Sequence, residues 1–176
     1  MKHLTRDELR ALLTVAKAHS ERDHLMILTG FWHGLRCSEI VKMRGTQIQD
    51  GHMTVQRLKG SLKTTQPLVS NADPLLDEKT AMEQRAEYVG DGLMFPISRS
   101  QFWRVIRKHA AEAGIAAHKR RPHVLKHTCG MMSIKAVIEH ARQYLGHISI
   151  ASTGAYLCVD DDAASKAVAT AAVAFL

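Results

Sequence analysis

Between Thr46 and Val69 the chain changes its period, and no other feature limits its choice of fold as tightly. Thr46 to Gln49 and Met53 to Leu58 read as strands on either side of Asp50-Gly51, a dipeptide that tolerates the positive φ angles of a tight hairpin turn. Gln66 to Val69 supplies a third strand before Asn71 and Pro74 interrupt it. The flanking sequence has helical spacing instead. The fold class predicted is mainly α with a small antiparallel β-sheet (α+β).

The helical expectations have local causes. Thr5-Arg6-Asp7-Glu8 is a capping box, and Leu9, Leu12, Leu13 and Ala16 follow it on one face, which predicts a helix to about Lys17. A second helix starts at Ser20, and the apolar run from Leu25 to Trp32 reads as its buried part. Ser38 to Met43 forms a short amphipathic helix. Pro74 to Val89 is expected to be helical until Gly90-Asp91-Gly92 breaks it. Ser98 caps a further helix, marked by Phe102, Val105, Ile106 and His109 and ending near Gly114. The basic loop Lys119-Arg120-Arg121-Pro122 feeds a helix whose first turn holds His123, and shorter helices are expected at Val137 to Leu145 and Ile150 to Leu157. The tail begins with Asp160-Asp161-Asp162 and continues to Leu176 as a string of Ala, Val and Phe. With no repeat and no low-complexity linker, residues 1–176 read as a single domain.

Composition narrows the function classes. Lys and Arg number 24 against 17 Asp and Glu, a formal charge of +7 that favours a polyanion over a basic ligand. No stretch approaches the roughly 20 apolar residues that a membrane-spanning helix needs, and the N-terminus lacks a signal-peptide apolar region, so the expected compartment is the cytoplasm. Cys37, Cys129 and Cys158 are scattered and odd in number, which suggests neither a disulfide framework nor a zinc ribbon.

The candidate residues gain meaning as an ordered set. Arg36 lies in Gly34-Leu35-Arg36-Cys37-Ser38-Glu39-Ile40, and Lys59 ends the second strand in Leu58-Lys59-Gly60-Ser61. His123-Val124-Leu125-Lys126-His127 follows, then Leu145-Gly146-His147, with Tyr156 nine residues beyond His147. This series resembles the tyrosine recombinase (phage integrase) family, which carries an Arg in GLRxSE, a hairpin Lys, HxLRH, LGH and a Tyr about nine residues later. The resemblance runs from Thr5 to about Asp162, and the segment Pro122 to Gly130 is most similar to short recombinases that invert fimbrial promoter elements.

The resemblance implies the tyrosine recombinase catalytic-domain fold and site-specific DNA recombination through a covalent 3′-phosphotyrosine, without metal or other cofactor. Tyr156 is then the nucleophile. Arg36 holds non-bridging phosphate oxygens, a task suited to a planar guanidinium because charge on those oxygens grows toward the transition state. Lys59 acts as general acid toward the leaving 5′-oxygen, with Lys63 as a possible substitute. His123 and His147 bond phosphate oxygens or assist proton transfer. Glu39 matches an acidic position that orders the site, against the plainer reading of a surface ion pair. A tyrosine hydroxyl titrates near about 10, so neighbouring cations must help it lose its proton. A type IB topoisomerase shares the chemistry, but the short LGH-to-Tyr spacing favours recombinases.

One residue departs from the family pattern. Lys126 stands where the second arginine belongs, keeping the charge but losing the rigid fork. Loss of one such contact corresponds to roughly 2 to 4 kcal/mol, or about 10²- to 10³-fold in rate. Three readings stay open: a tolerated variant, a decayed relative that only binds DNA, or a neighbour such as Arg121 reaching in.

Other residues have plainer expectations. His123 and His127 stand four apart like zinc ligands, but Val124 sits where a metalloprotease helix has glutamate, so no metal is expected. His3, His19, His24, His33, His52, His109, His118 and His140 are expected at the surface or behind the site, and Phe31, Trp32, Phe102 and Trp103 in the core. Lys119, Arg120 and Arg121 either touch DNA phosphates or form a solvated charge run. The partner implied is double-stranded DNA, bound by a dimer to tetramer that is a monomer in solution. The family's N-terminal core-binding domain is read as absent, leaving either an excised catalytic half or a naturally short protein. The tail from about Asp160 either exchanges between protomers or folds back on its own domain.

Overall fold

The computed structural model describes residues 3–56 and 63–133. Lys59, His147, Tyr156, Cys158, the helices expected at Val137 to Leu145 and Ile150 to Leu157, and the tail lie outside the described residues. Within them the chain forms α1 (Arg6–His19), α2 (Glu21–Trp32), α3 (Cys37–Val41), a three-stranded sheet, α4 (Lys79–Val89), α5 (Arg99–Glu112) and α6 (His123–Ser133). No helix among the described residues is long and apolar enough to cross a membrane.

The first helix starts where its capping box demands. Thr5 Oγ1 accepts from the Glu8 N–H and the Glu8 carboxylate accepts from the Thr5 N–H. Leu9, Leu12, Leu13 and Ala16 then line the face that packs on α2. That second helix is buried from Asp23 through Phe31, because α1, α3 and α6 all lie against it. Gly30 lets two of them approach: a Cβ there would stand 2.8 Å from Ile40 Cδ1 and 3.2 Å from Leu125 Cδ1.

The sheet has strands β1 (Ile48–Gln49), β2 (His52–Val55) and β3 (Thr64–Pro67) in that order, both pairs antiparallel. Asp50 and Gly51 adopt φ angles of 49° and 71°, the turn the dipeptide predicted. The first strand begins two residues later than expected, because Gly45–Gln47 forms a 3₁₀ turn. The third begins two residues earlier. Val55 pairs with Thr64 and Met53 with Gln66, so two polar residues occupy the inward face of β3.

Gln66 is buried at that position because it has a buried partner. His33, at the end of α2, is fully buried and hydrogen bonds through Nδ1 to Gln66 Oε1 at 2.7 Å and through Nε2 to Glu78 Oε1 at 2.5 Å. Glu78 also accepts from the Thr29 hydroxyl at 3.0 Å and from the Val69 N–H at 3.1 Å. The same chain path explains why α4 starts at Lys79 and not at Pro74. Leu76 and Asp77 N–H groups turn back on the Asp73 carbonyl, and those of Glu78 and Lys79 on the Val69 carbonyl, before the helix begins.

Three histidines depart from expectation. His24, His33 and His109 are buried, each held by a specific acceptor: the Leu75 carbonyl, the pair just described, and Asp23.

Candidate DNA-binding active-site cleft

A sharp end to α2 places the first arginine. Gly34 takes a φ of 56°, a conformation that suits glycine after a helix C-terminus, and the Gly34 and Leu35 N–H groups bond back to the Phe31 and Gly30 carbonyls. Leu35 is then buried at 1% exposure, which leaves Arg36 at the mouth of α3. Glu39, three residues on, fastens it twice: Oε2 accepts from the Arg36 backbone N–H at 2.7 Å, and Oε1 accepts from the guanidinium Nη1 at 3.0 Å. The Glu39 side chain is fully buried while that of Arg36 keeps 25% of its surface. The pair is thus buried on its glutamate side, which excludes the plainer reading of a surface ion pair.

Arg36 opens onto a cleft of about 1030 Å³. Its walls are Arg36, Cys37 and Ser38 from α3, Arg99, Ser100, Trp103 and Arg104 from α5, and Arg121, Pro122 and His123 at the start of α6. Four arginines and a histidine line it, and none of these ten residues is acidic. Burial raises the Cys37 thiol above its ordinary range, opposed in part by Arg99. Pro122, Val124 and Leu125 are buried and fix the entry of α6, so that His123 stays exposed toward the cleft.

The structure divides the other basic candidates. Lys126 is 3% exposed and donates to the Gly34 carbonyl at 3.0 Å, so its ammonium lies behind the turn that presents Arg36 and is not part of the cleft wall. Lys119 is buried and donates to both Glu8 oxygens at 2.8 and 2.7 Å. Arg120 donates to the Ile115 carbonyl at 2.6 Å. Of that basic run only Arg121 reaches the cleft. Lys63 is exposed just before β3. His123 and His127 stack edge to face at 4.5 Å.

Sequence reasoning passed over the α5 wall. Trp103, expected in the core, is 41% exposed, and the Arg107 guanidinium lies 5.0 Å from its ring centre. The signal was present in the spacing. Phe102, Ile106, His109 and Ala110 form the buried stripe, and Arg99, Trp103 and Arg107 repeat every fourth residue off that stripe.

Comparison with known proteins agrees with this arrangement. Residues 2–162 match the model of the phage integrase family. The type 1 fimbriae regulatory protein FimE of Escherichia coli K12 is 30% identical over 174 residues, covering 88% of this chain and 84% of its own length. The tyrosine recombinase XerA of Pyrococcus furiosus is also 30% identical, over 88% of this chain, which spans 56% of that protein. Among solved structures, XerA recombinase superposes with a TM-score of 0.73 at 20% identity, over 96% of this chain and 62% of the other. A lambda integrase dimer bound to a COC′ core site superposes with a TM-score of 0.73 at 20% identity, over 88% of this chain and 47% of the other. The reading of a relative that only binds DNA gains no support from proteins that are themselves tyrosine recombinases. The chain belongs to the phage integrase family, the site-specific tyrosine recombinases that cleave and rejoin DNA.

Proposed function

We propose that this chain exchanges DNA phosphodiesters through Tyr156, with the scissile phosphate seated in the cleft between α3, α5 and the start of α6. The observation that carries the assignment is Arg36, whose guanidinium is fastened to buried Glu39 while facing the same space as exposed His123. A guanidinium fixed before substrate arrives needs little reorganisation when charge develops on the phosphate oxygens. The Tyr156 hydroxyl passes its proton to His123 or His147 as its oxygen attacks phosphorus, and the 5′-oxygen leaves with a proton from Lys59. The reverse attack by that 5′-hydroxyl reseals the strand and frees the tyrosine. His123 and His147 serve the phosphate oxygens and the proton transfers.

Lys126 acts from behind in this reading. Its ammonium holds the Gly34 carbonyl and adds positive potential beneath Arg36 without the bidentate grip of an arginine. Arg121, Arg99 and Arg104 supply contacts to flanking phosphates. Assembly as a dimer to tetramer on DNA follows the lambda integrase structures, a dimer on a core site and a tetramer on a Holliday junction. The compartment is the cytoplasm.

A nicked suicide substrate tests the assignment, because loss of the short 5′-product traps the covalent state. Wild-type protein should form an adduct that Tyr156→Phe abolishes. No adduct from wild type, or an adduct that persists in Tyr156→Phe, would overturn it.

A further inference from the structure

On the face of the molecule where α1 and α5 both end, two histidines and a glutamate converge. His19 is the last residue of α1, and His109 and Glu112 share the last turn of α5. One ligand atom from each lies within 4.8 Å of the other two. His19 Nε2 is 2.8 and 2.9 Å from the Glu112 oxygens, and its ring centre is 5.4 Å from that of His109.

His109 shows what the cluster is suited to hold. It is 1% exposed, and its Nε2 is taken by Asp23 Oδ2 at 3.0 Å. With Nε2 hydrogen bonded to a carboxylate oxygen, Nδ1 is the ring nitrogen left for a further partner. Nδ1 is buried and has no hydrogen-bond partner among the described residues. A carboxylate that fixes one nitrogen of a histidine whose ring lies beside a further histidine and a carboxylate is the second-shell arrangement of metal sites.

We infer that His19, His109 and Glu112 bind a divalent transition-metal ion of the zinc type, with Asp23 orienting His109. Two imidazole nitrogens and one carboxylate oxygen form a borderline donor set suited to such an ion, and a fourth position stays open to water. Tetrahedral bonds of about 2.0 to 2.2 Å place ligand atoms roughly 3.3 Å apart, so the cluster must tighten by about an ångström or somewhat more at its widest. His19 and Glu112 have the freedom to do so, with 40% and 48% of their side-chain surface exposed. A cation is further favoured because two helix C-termini, each the negative end of its dipole, meet there. The ion ties α1 to α5 on residues that do not line the arginine cleft, and so binds independently of the recombination chemistry.

The test is calorimetric titration of the chelator-treated full chain with Zn²⁺, accompanied by melting curves. Wild type should take up an equivalent of Zn²⁺ that raises the melting temperature with increasing free metal. His19→Ala and Glu112→Gln, both at exposed positions that leave the fold intact by circular dichroism, should each abolish that equivalent or weaken it at least tenfold. Asp23→Asn should weaken it by roughly 10- to 100-fold. Absence of a saturable equivalent in wild type overturns the inference, as does the same stoichiometry and affinity in His19→Ala and Glu112→Gln.

Discussion

Glu78→Ala removes an acceptor on which three groups converge: the buried Thr29 hydroxyl and His33 ring, and the half-buried Val69 N–H. Each buried polar group left without its partner costs about 1 to 3 kcal/mol. The three contacts share one carboxylate, so their costs do not simply add, and the expected loss is about 3 to 5 kcal/mol. Against the roughly 5 to 15 kcal/mol that holds a domain together, this is a large fraction. For a chain of this length each kcal/mol moves the melting temperature by about 2 to 4 °C, so a fall of roughly 6 to 20 °C is expected. Urea denaturation should show the midpoint fall with its slope unchanged. Glu78→Gln keeps an acceptor oxygen for Thr29 or Val69 and should lose about half as much. In a double-mutant cycle, His33→Ala should cost less in the Glu78→Ala background than in wild type. A loss below about 1 kcal/mol in Glu78→Ala, or strict additivity with His33→Ala, would refute the claim that this network fixes Gln66 and β3.

Other expectations follow from the cleft and the core. Glu39→Ala removes the carboxylate that fastens the Arg36 guanidinium and backbone, so the rate of covalent adduct formation on a nicked substrate should fall by about 100-fold with little change in DNA affinity; an unchanged rate would count against a positioning role. Gly45→Ala brings a Cβ against the carbonyl oxygens of Ala86 and Gly90, backbone atoms that cannot step aside, and should destabilise by about 1 to 3 kcal/mol in a chemical melt. Acid sensitivity should have two stages. His24 is lowered from 6.5 mainly by burial, so the stability it adds is complete at neutral pH and begins to decline below about 6.5, where the unfolded chain takes up the proton first. Asp23 and Glu8 resist burial through hydrogen bonds from His109 and Arg22, and from Lys119 and Thr5, and both are held low; their stability is present above the ordinary carboxylate range and is lost as pH falls through their folded values. Urea midpoints that rise on acidification from neutral pH would contradict both.

Much of the architecture was legible because its causes are local. The capping box at Thr5, the turn at Asp50-Gly51 and the buried stripe of α5 each involve residues within a few positions of one another. The register of β3 was not legible, since the buried partner of the inward Gln66 is His33, 33 residues away, itself held by Glu78. Arg36 and Glu39 could be paired from their spacing, three residues apart at a helix start. Lys119 looked like a DNA contact for the same reason that Arg121 did, and only the folded chain separates them, by bringing Glu8 to Lys119 from 111 residues away. Lys126 was legible as a departure from the family pattern, while its bond to Gly34 depends on α6 crossing the end of α2.

The pairing of Lys119 with Glu8 has a counterpart in Arg10 with Asp73 and Arg22 with Asp23. Several formal charges are thus spent inside the protein before any duplex arrives. In the proposed binding mode a duplex meets a concentrated strip, Arg36, Arg99, Arg104 and Arg121, and counterions are released from DNA only where such side chains displace them. The ionic-strength dependence of binding should therefore count the phosphates that this strip covers, at about 0.9 logarithmic unit apiece, and be insensitive to the +7 written over the whole chain.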